Sequence, residues 1–370
     1  MRRDGPADVV VVGAGPAGIV TAIAASRNGL QVAVLDSRKP PIDKPCGEGL
    51  LPEAVAALRR IGIELHSSFA FPFSGIRFCD ENSSATASIA KGQAFGLRRT
   101  ALHRLLWDRA LELGVRFEWG ARISDLSTRG VTANGKFVPC NWLVGADGQN
   151  SIVRQWAGLG PDRYRRSRFG FRRHYAAAPW TDAVEVHWGR HCQVFVTPTG
   201  THEVCIAVLS NDPHMRIDRA LARFPDVARH LRDVPAEAEG GAITALGRAR
   251  AVARGNVALV GDASCAIDGI AGQGLSLAFQ EAVCLGEALA RNDLRAYEAA
   301  HRRITATAVR MTQLLLLMER SAWIRKKTLR LFASQPALFS KMMSIHTGDS
   351  SRESLRAHEI AGLGLRVLFA

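Results

Sequence analysis

Lysine, paired cysteines and long apolar runs are scarce in this sequence of 370 residues, and these scarcities exclude several classes of protein. The seven cysteines are odd in number and include no Cys-x-x-Cys pair, which predicts reduced thiols rather than a disulfide framework or a metal site. No apolar stretch approaches the roughly 20 residues that span a bilayer. Because Asp8 and a glycine-rich segment follow Arg2 and Arg3, we expect no signal peptide and a cytoplasmic protein.

The formal net charge of +14 does not by itself predict a nucleic-acid-binding protein. Only seven of the 48 basic residues are Lys, and an excess of Arg also follows from GC-rich codon usage. The basic residues are spread along the chain, without a block interleaved with aromatic residues that would stack on bases. We therefore expect no nucleic-acid partner and only a general attraction for anionic cofactors.

The first residues alternate between strand-like and helix-like patterns. Ala7 to Val12 is almost wholly valine and is predicted to be a buried parallel strand. A helix is expected over Ala17 to Asn28 and a second strand over Gln31 to Asp36. This order predicts the β-α-β unit with which doubly wound α/β sheets begin.

A glycine-rich turn, Gly13-Ala14-Gly15-Pro16-Ala17-Gly18, separates the first strand from its helix. Gly13 permits a tight turn, Gly15 lets a pyrophosphate approach the backbone, and Gly18 lets helix and strand pack closely. The helix N-terminus offers free N–H groups to phosphate. Asp36 stands 23 residues after Gly13, near the spacing of a carboxylate that accepts from a ribose hydroxyl, which predicts dinucleotide binding. Ser37 and Arg38 follow, with Arg38 either beside the adenosine or in solvent.

Two later segments also combine glycine with aspartate. The first is Gly145-Ala146-Asp147-Gly148-Gln149-Asn150, and the second is Val260-Gly261-Asp262-Ala263, continuing to Gly272-Gln273-Gly274. Together with Arg99, which precedes a periodic helix over Thr100 to Leu113, they resemble the motifs of the p-hydroxybenzoate-hydroxylase-like superfamily of FAD-dependent oxidoreductases. The resemblance covers roughly the first 300 residues, and three motifs in order are more specific than one.

Membership of that superfamily implies FAD as cofactor and an α/β fold built from interrupted segments. We expect a discontinuous, Rossmann-like FAD-binding domain from residues 1–74, 98–165 and 250–300. An inserted antiparallel β-sheet substrate domain is expected from residues 75–97 and 166–249, and a C-terminal helical region from 301–370.

The resemblance also implies roles for the later motifs. Asp262 is expected to accept from the ribityl hydroxyls of FAD, and the alternative for it is a plain helix cap. The helix that opens after Gly272, Gln273 and Gly274 is expected to face the flavin N1 and C2 carbonyl, where its N-terminal dipole stabilises negative charge.

A loop rich in Cys and Gly, Pro45-Cys46-Gly47-Glu48-Gly49-Leu50, looks most like the geranylgeranyl-reductase-like branch of the superfamily. This implies that the loop lies beside the flavin, with Gly47 at the cofactor and Cys46 or Glu48 as candidate catalytic residues. Cys46 has an equal alternative as a small buried apolar residue. No histidine or paired carboxylate stands at a recognisable catalytic spacing.

Two enzymatic hypotheses follow from the resemblance. The first is an NAD(P)H-dependent monooxygenase that adds one oxygen atom to an aromatic or polyketide-like molecule, and general superfamily membership and Gln273 favour it. The second is a reductase that saturates a lipophilic alkene, which the loop at Cys46 favours. No second glycine fingerprint follows a strand, so we expect no standing nicotinamide domain. The resemblance implies that NAD(P)H, if used, docks transiently, or that electrons arrive from a partner. A third hypothesis is a non-catalytic flavoprotein scaffold or sensor, which a pocket at the flavin would argue against.

Periodicity alone predicts several further elements. Asn134-Gly135 signals a type I′ hairpin, and Val184 to Val208 carries alternating runs that suit an antiparallel sheet. Pro213 to Arg232 is predicted to be helical. From Arg302 to Phe332, leucines and Trp323 alternate with basic residues, and helix is expected onward apart from a polar break near His346 to Ser351. Such a basic amphipathic helix either caps a domain core, which we favour, or makes weak contact with an anionic membrane surface.

Overall fold

The structure is a computed structural model that describes residues 6–81, 83–89, 91–160 and 166–347. Within these ranges the chain forms two eight-stranded sheets, one three-stranded sheet and ten α-helices. This architecture confirms the expected α/β class.

Strands and helices alternate in the first third of the chain, whereas helices dominate its last third. The strands are β1 (Ala7–Val12), β2 (Val32–Asp36), β3 (Gly49–Leu50), β4 (Phe71–Phe73), β5 (Gly75–Asp80), β6 (Ser83–Ser88), β7 (Ala94–Gly96), β8 (Arg116–Trp119), β9 (Ile123–Ser127), β10 (Gly130–Ala133), β11 (Lys136–Gly145), β12 (Arg166–Tyr175), β13 (Ala183–Gly189), β14 (Cys192–Gly200), β15 (Glu203–Ser210), β16 (Gly240–Arg248), β17 (Ala253–Arg254), β18 (Val257–Leu259) and β19 (Cys265–Ala266). The α-helices are α1 (Pro16–Arg27), α2 (Pro52–Arg60), α3 (Arg99–Glu112), α4 (Ile152–Trp156), α5 (Ile217–Leu221), α6 (Pro225–Ala228), α7 (Gly274–Ala290), α8 (Leu294–Arg320), α9 (Ala322–Ser334) and α10 (Pro336–His346).

The first sheet has the order β17-β18-β11-β1-β2-β8, and β9 and β10 extend it beside β11. β1 pairs in parallel with β2 and with β11. β8 joins β2 in parallel and β18 joins β11 in parallel, whereas the edge strand β17 pairs with β18 in antiparallel. Since α1 and α7 cover this sheet, its valines lie in a continuous apolar core, as the valine-rich pattern of β1 predicts. The carboxyl ends of β1, β11 and β18 meet at one edge, so the three glycine motifs that follow these strands come together.

The turn between β10 and β11 matches its prediction. Ala133 pairs with Lys136, which leaves Asn134 and Gly135 as a two-residue loop with φ of 49° and 76°. Positive φ at both positions is the requirement of a type I′ turn, so the predicted hairpin is confirmed.

The second sheet has the order β19-β16-β12-β15-β14-β13-β5-β6, and it corrects one expectation. Its pairs are antiparallel except for β5 and β13, which pair in parallel with Gly75 opposite Ala183. The two strands come from different inserts, so no hairpin turn forces them to run in opposite directions. A separate small sheet has the order β3-β7-β4, and its strand β3 begins where the loop at Cys46 ends. Strands β4 and β7 lie against β14 of the second sheet.

The segment from Pro213 to Arg232, predicted to be helical, forms short helices and not one continuous helix. Two short helices, α5 and α6, are separated at Phe224, and a 3₁₀ turn follows over Arg229–Leu231. Pro225 explains the break, because a proline lacks the N–H that would continue α5 and its ring collides with the preceding turn.

Helices α8, α9 and α10 pack against the second sheet, and a break at Ser321 divides the segment predicted as one amphipathic helix. Leu315, Met318, Leu329 and Phe332 are buried in one cluster with β5 and β6 residues, so the apolar face caps a core. No described helix is long and apolar enough to cross a membrane. Of the predicted polar break, residues 348–351 lie outside the described residues.

Candidate active site

The glycine-rich turn leaves open space at the N-terminus of α1. Gly13 has φ of +105°, and an ideal Cβ there would lie 2.4 Å from the main-chain oxygen of Ala146, so only glycine fits between β1 and β11. By contrast, a Cβ on Gly15 would meet no atom within 4 Å. The backbone at Gly15 therefore faces an empty cradle at a helix N-terminus, which is where a pyrophosphate binds in such turns.

Asp36 orders the same turn from the end of β2. Its carboxylate accepts a hydrogen bond from the backbone N–H of Ala14 at 2.8 Å and another from that of Arg38 at 2.8 Å. Asp36 is 8% exposed and lies at the edge of the cavity described below. The carboxylate thus fixes the turn, and its remaining lone pairs are the ones left for a ribose hydroxyl.

The second and third motifs are joined by Arg154. Its guanidinium Nη1 donates to the main-chain oxygen of Ala263 at 2.8 Å, and Nη2 donates to that of Gln149. Asp147 caps α4 by accepting from the N–H of Ile152 at 2.7 Å. A buried arginine between two backbone carbonyls holds the Asp147 and Asp262 segments at a fixed separation.

Behind the third motif, Glu281 of α7 holds the turn at Gly261. Its Oε2 accepts from the Gly261 N–H at 2.9 Å and from the Ser264 hydroxyl at 2.9 Å. Burial raises the pKa of Glu281 to about 8. In front of the motif, Asp262 makes an ion pair of 3.0 Å with Lys44 and keeps 37% of its side chain exposed.

A cavity of about 740 Å³ brings most of the predicted residues together. The predicted cofactor residues that line it are Gly13, Gly15, Ala17, Asp36, Ser37, Arg38, Gly47, Arg99, Asp147, Gly148, Asp262, Gly272 and Gly274, and both catalytic candidates, Cys46 and Glu48, line it as well. The other four predicted cofactor residues do not line the cavity; they are Ala14, Gly18, Gly261 and Gln273. They shape the turns rather than face the cavity.

Gln273 is turned toward α10 instead of the cavity. Its amide nitrogen donates to the main-chain oxygen of His346, and His346 Nε2 lies 2.9 Å from the main-chain oxygen of Ala271. Burial lowers the pKa of His346 to about 4, so the imidazole is neutral at pH 7. Gln273 therefore ties the last described helix to the start of α7.

The loop at Cys46 places Glu48 in an unusual backbone conformation. Glu48 has φ of 59°, and its side chain is fully buried. One carboxylate oxygen accepts from the Arg99 N–H at 2.9 Å and from Arg172 Nη1 at 3.0 Å. Arg172 also binds Asp43, and this hydrogen bond lowers the pKa of Asp43. These contacts hold a left-handed conformation that a non-glycine residue seldom adopts.

A line of acid and base groups leads from Glu48 to the surface. His174 Nε2 lies 2.6 Å from the second oxygen of Glu48, and His174 Nδ1 lies 3.3 Å from Glu237. The Glu237 side chain is 52% exposed, and its hydrogen bond from Arg98 lowers its pKa. A histidine between two carboxylates can pass a proton from solvent to a buried acid.

Sequence patterns did not reveal this line, since its members are far apart in the chain. Glu48 and His174 are separated by 126 residues, and β12 carries His174 on the second sheet. The thiol of Cys205 lies close to both Glu48 and His174. It is also buried, and burial raises its pKa. Of these residues, only Glu48 was predicted from the sequence, because it lies in the Cys-Gly-rich loop that resembles the geranylgeranyl-reductase-like branch.

Beyond the loop, the second sheet lines the cavity mainly with apolar side chains, and Thr197 and Thr244 are the two polar side chains that it adds. Second-sheet residues Ile76, Phe78, Val184, Val186 and Phe195 form one wall, and Leu315 and Met343 from α8 and α10 form another. The charged residues that line the cavity come from other segments: Asp36, Arg38, Lys44, Glu48, Arg99, Arg122, Asp147 and Asp262. The cavity therefore has a polar half at the glycine motifs and an apolar half at the second sheet.

The polar half fits a dinucleotide. The N-termini of α1 and α7 open on it at Gly15 and Gly274, and a Cβ on either residue would meet empty space. Arg99 Nε is buried there without a hydrogen-bond partner in the described chain. An unpartnered guanidinium nitrogen and two helix N-termini together suit an anionic cofactor of the size of FAD.

Comparison with known proteins agrees with this arrangement. Residues 6–309 match a family model described as "FAD binding domain". The chain belongs to this FAD-binding family. It is an FAD-dependent oxidoreductase of the p-hydroxybenzoate-hydroxylase-like superfamily, as the three motifs had predicted, and FAD is its cofactor.

Individual relatives of this family member differ in their reactions. The chain is 30% identical over 325 residues to the menaquinone reductase of Mycobacterium tuberculosis (strain ATCC 25618 / H37Rv), covering 80% of this chain and 79% of that protein. It is 32% identical over 176 residues to the 3-(3-hydroxy-phenyl)propionate/3-hydroxycinnamic acid hydroxylase of Mycobacterium sp. (strain JLS), covering 44% and 31%. A flavoprotein/dehydrogenase from Cytophaga hutchinsonii has the same fold, with a TM-score of 0.83, 16% identity, and 99% and 100% of the two chains covered.

Proposed function

We propose that this flavoprotein is a reductase that saturates a carbon–carbon double bond in a lipophilic, polyprenyl-type substrate. The observation that carries the proposal is the division of the cavity into a charged half and an apolar half. Ile76, Phe78, Val184 and Val186 offer a substrate apolar contact only, which suits a hydrocarbon chain and not a polar aromatic acid.

Two further observations support a reductase. The menaquinone reductase relative matches most of the chain, whereas the hydroxylase relative matches less than half of it. In addition, the Cys46 to Gly49 loop, which resembles the geranylgeranyl-reductase-like branch, lines this same cavity.

Saturation of an alkene requires a hydride on one carbon and a proton on the other. Reduced FAD, when bound in the polar half, would supply the hydride and the two electrons that the alkene gains. The chain's own contribution is the proton, which we route from solvent through Glu237 and His174 to Glu48. Glu48 lies in the loop that lines the cavity, and a proton that it gives up would be replaced along the same line. NAD(P)H, docking transiently, is the proposed reductant of the enzyme.

The second candidate is an NAD(P)H-dependent monooxygenase acting on an aromatic or polyketide-like molecule. The match to the hydroxyphenylpropionate hydroxylase favours it. Such a substrate would need a polar partner for its hydroxyl or carboxylate in the apolar half. His346, neutral and bound to Ala271, is the one titratable side chain that the described helices α8–α10 contribute there.

Anaerobic reoxidation of the reduced protein tests the proposal. The FAD-loaded protein is reduced with dithionite, freed of excess reductant, and mixed in detergent with geranylgeraniol or with its fully saturated counterpart. We expect the flavin absorbance to return with the unsaturated alcohol and to stay bleached with the saturated one. Equal reoxidation by both alcohols, or by neither, would contradict an alkene reductase.

A further inference from the structure

The outward side of the C-terminal helices is basic and carries two exposed apolar side chains. Residues 301–347 contain nine Lys and Arg but a single acidic residue, Glu319. Glu319 points inward, where it forms an ion pair of 2.5 Å with the buried Arg168. The exposed side of this layer therefore has an almost purely positive charge.

The exposed residues follow one stripe along each helix. On α8, Arg310, Leu317 and Arg320 are spaced seven and three residues apart, so they share a face. On α9, Trp323 and Arg330 are seven residues apart and share the exposed face of that helix. Both helices bury their other faces in the same apolar cluster, so the two stripes point away from the protein. We call the residues Arg310, Leu317, Arg320, Trp323, Lys326 and Arg330 the outer face.

Two side chains of the outer face are large, apolar and exposed. Leu317 is 47% exposed, and Trp323 is 52% exposed with the Lys327 ammonium 5.7 Å from its ring. Tryptophan beside basic residues is the combination that anchors proteins at the headgroup level of bilayers. The acidic group that pairs with a residue of this face is Glu81, whose Oε2 lies 3.5 Å from Nζ of Lys326.

The same helical layer forms a wall of the apolar half of the cavity. Leu315 and Met343 line the cavity, whereas Leu317, two residues further along α8, faces outward. A lipophilic substrate dissolved in a bilayer would thus lie one helix away from the site. This link extends the proposed function, although the charge and exposure of the outer face do not depend on it.

We propose that the outer face docks the protein on an anionic phospholipid surface, so that a lipophilic substrate is taken up directly from the bilayer. Arg310, Arg320, Lys326 and Arg330 would lie among the lipid phosphates, and Trp323 and Leu317 would enter the interface. Each basic residue near an anionic membrane strengthens binding, and the attraction weakens as salt rises.

Vesicle sedimentation of the FAD-loaded protein tests the docking without any turnover. One set of vesicles is phosphatidylcholine alone, and in the other a third of the lipid is phosphatidylglycerol. We expect binding to the anionic vesicles at low salt, loss of binding at high salt, and little binding to phosphatidylcholine. Equal binding to both sets, or none to the anionic set, would overturn the proposal.

Two variants assign the binding to the outer face. Arg310→Glu/Arg320→Glu/Arg330→Glu should weaken binding to anionic vesicles by at least about a hundredfold, and Trp323→Ala should weaken it by about tenfold. A control with the same charge change, Arg129→Glu/Arg232→Glu/Arg291→Glu, alters exposed arginines outside α8–α10 and should retain most of the binding. The flavin spectrum and thermal midpoint of each variant show that it is folded.

The outcomes separate docking from catalysis. If the outer-face triple variant binds like the control triple variant, the docking surface is wrong even if the alkene is reduced. If light scattering shows that the outer face joins two copies of the chain, the lipid proposal is likewise overturned. Docking with no reoxidation by geranylgeraniol would instead leave the surface supported and the reductase proposal rejected.

Discussion

The buried carboxylate of Glu48 lies 2.6 Å from Nε2 of His174, and this pair connects the loop at Cys46 to the second sheet. The opposite nitrogen of His174 lies 3.3 Å from Glu237 at the surface. The loop and the sheet come from different parts of the chain, so the pair forms only once the FAD-binding segments and the inserted sheet are packed together. Its position makes it the natural place to test the proposed proton route.

Replacing His174 with glutamine should slow the proton-dependent step without releasing the cofactor. A glutamine amide can take the place of the imidazole beside Glu48, but it cannot pass a proton on. Since positioned proton transfer contributes roughly 10²-fold or more, we expect at least that loss in the rate of anaerobic flavin reoxidation by geranylgeraniol. Arg173→Gln, which removes the neighbouring contact to Asp218, is the matched control and should react normally. Stopped-flow absorbance measures both rates, and a normal rate in His174→Gln would refute the route.

Gly15→Asp should abolish copurified FAD. The carboxylate would project into the empty cradle at the N-terminus of α1, where it would occupy the place of the pyrophosphate and repel its charge. Gly160→Asp introduces the same side chain at a glycine that also has open space around it but lies outside the cavity, and it should keep its flavin. The ratio of flavin to protein absorbance reports the result. A yellow Gly15→Asp protein would show that the pyrophosphate does not bind at this turn.

Val184→Glu should weaken binding of a lipophilic substrate while leaving FAD bound. The new carboxylate would stand in the apolar wall of the cavity, where an unpaired charge beside hydrocarbon is costly. We expect KM for geranylgeraniol to rise by about tenfold or more. Val184→Thr keeps the shape of valine with only a hydroxyl added, and its KM should change far less. If Val184→Glu and Val184→Thr have the same KM, the substrate does not contact this wall.

Glu281→Gln should make stability less dependent on pH between about 4.5 and 8. The folded pKa of Glu281 is about 8, above its ordinary value of 4.5, so the folded state keeps a proton that the unfolded state loses. The stability that this group contributes is thus complete below pH 4.5 and declines as pH rises toward 8. Glutamine can still accept from Gly261 and Ser264 but cannot titrate.

Urea unfolding at pH 5 and pH 8 measures the effect for wild type and variant. His301 Nε2 lies 3.4 Å from Glu281, and burial lowers the pKa of His301 to about 4. Because of this lowered pKa, His301 makes the folded state more stable as pH rises, which opposes the effect of Glu281. Both proteins carry this contribution, so the comparison between them isolates Glu281. The variant should therefore lose less stability, or gain more, between the two pH values. An identical change in both proteins would show that Glu281 is ionised in the folded state.

The cofactor half of the site was predictable because its residues act through local backbone geometry. Gly13, Gly15 and Asp147 each occupy a turn between a strand and a helix, and such turns leave a short, continuous pattern in the sequence. Parallel strands then bring the turns to one edge, so the order of motifs predicts their meeting in space.

The substrate half could not be predicted in this way. Its wall combines β5 with β13 through a parallel pairing, and it is closed by Leu315 and Met343 from distant helices. These residues are ordinary apolar core types, so no residue among them marks a site. His174 was missed for the same reason: its partner Glu48 is 126 residues away, and only the packing of the loop at Cys46 against the second sheet brings them together.

The most direct test of the proposed reductase is the mass of the product formed under strictly anaerobic conditions. The FAD-loaded protein is incubated with NADPH and geranylgeraniol in the absence of oxygen, and the extracted lipid is analysed by mass spectrometry. We predict a product that has gained two hydrogen atoms per saturated double bond and no oxygen. A product that forms only in air, with the mass of one added oxygen atom, would contradict the reductase and establish the monooxygenase.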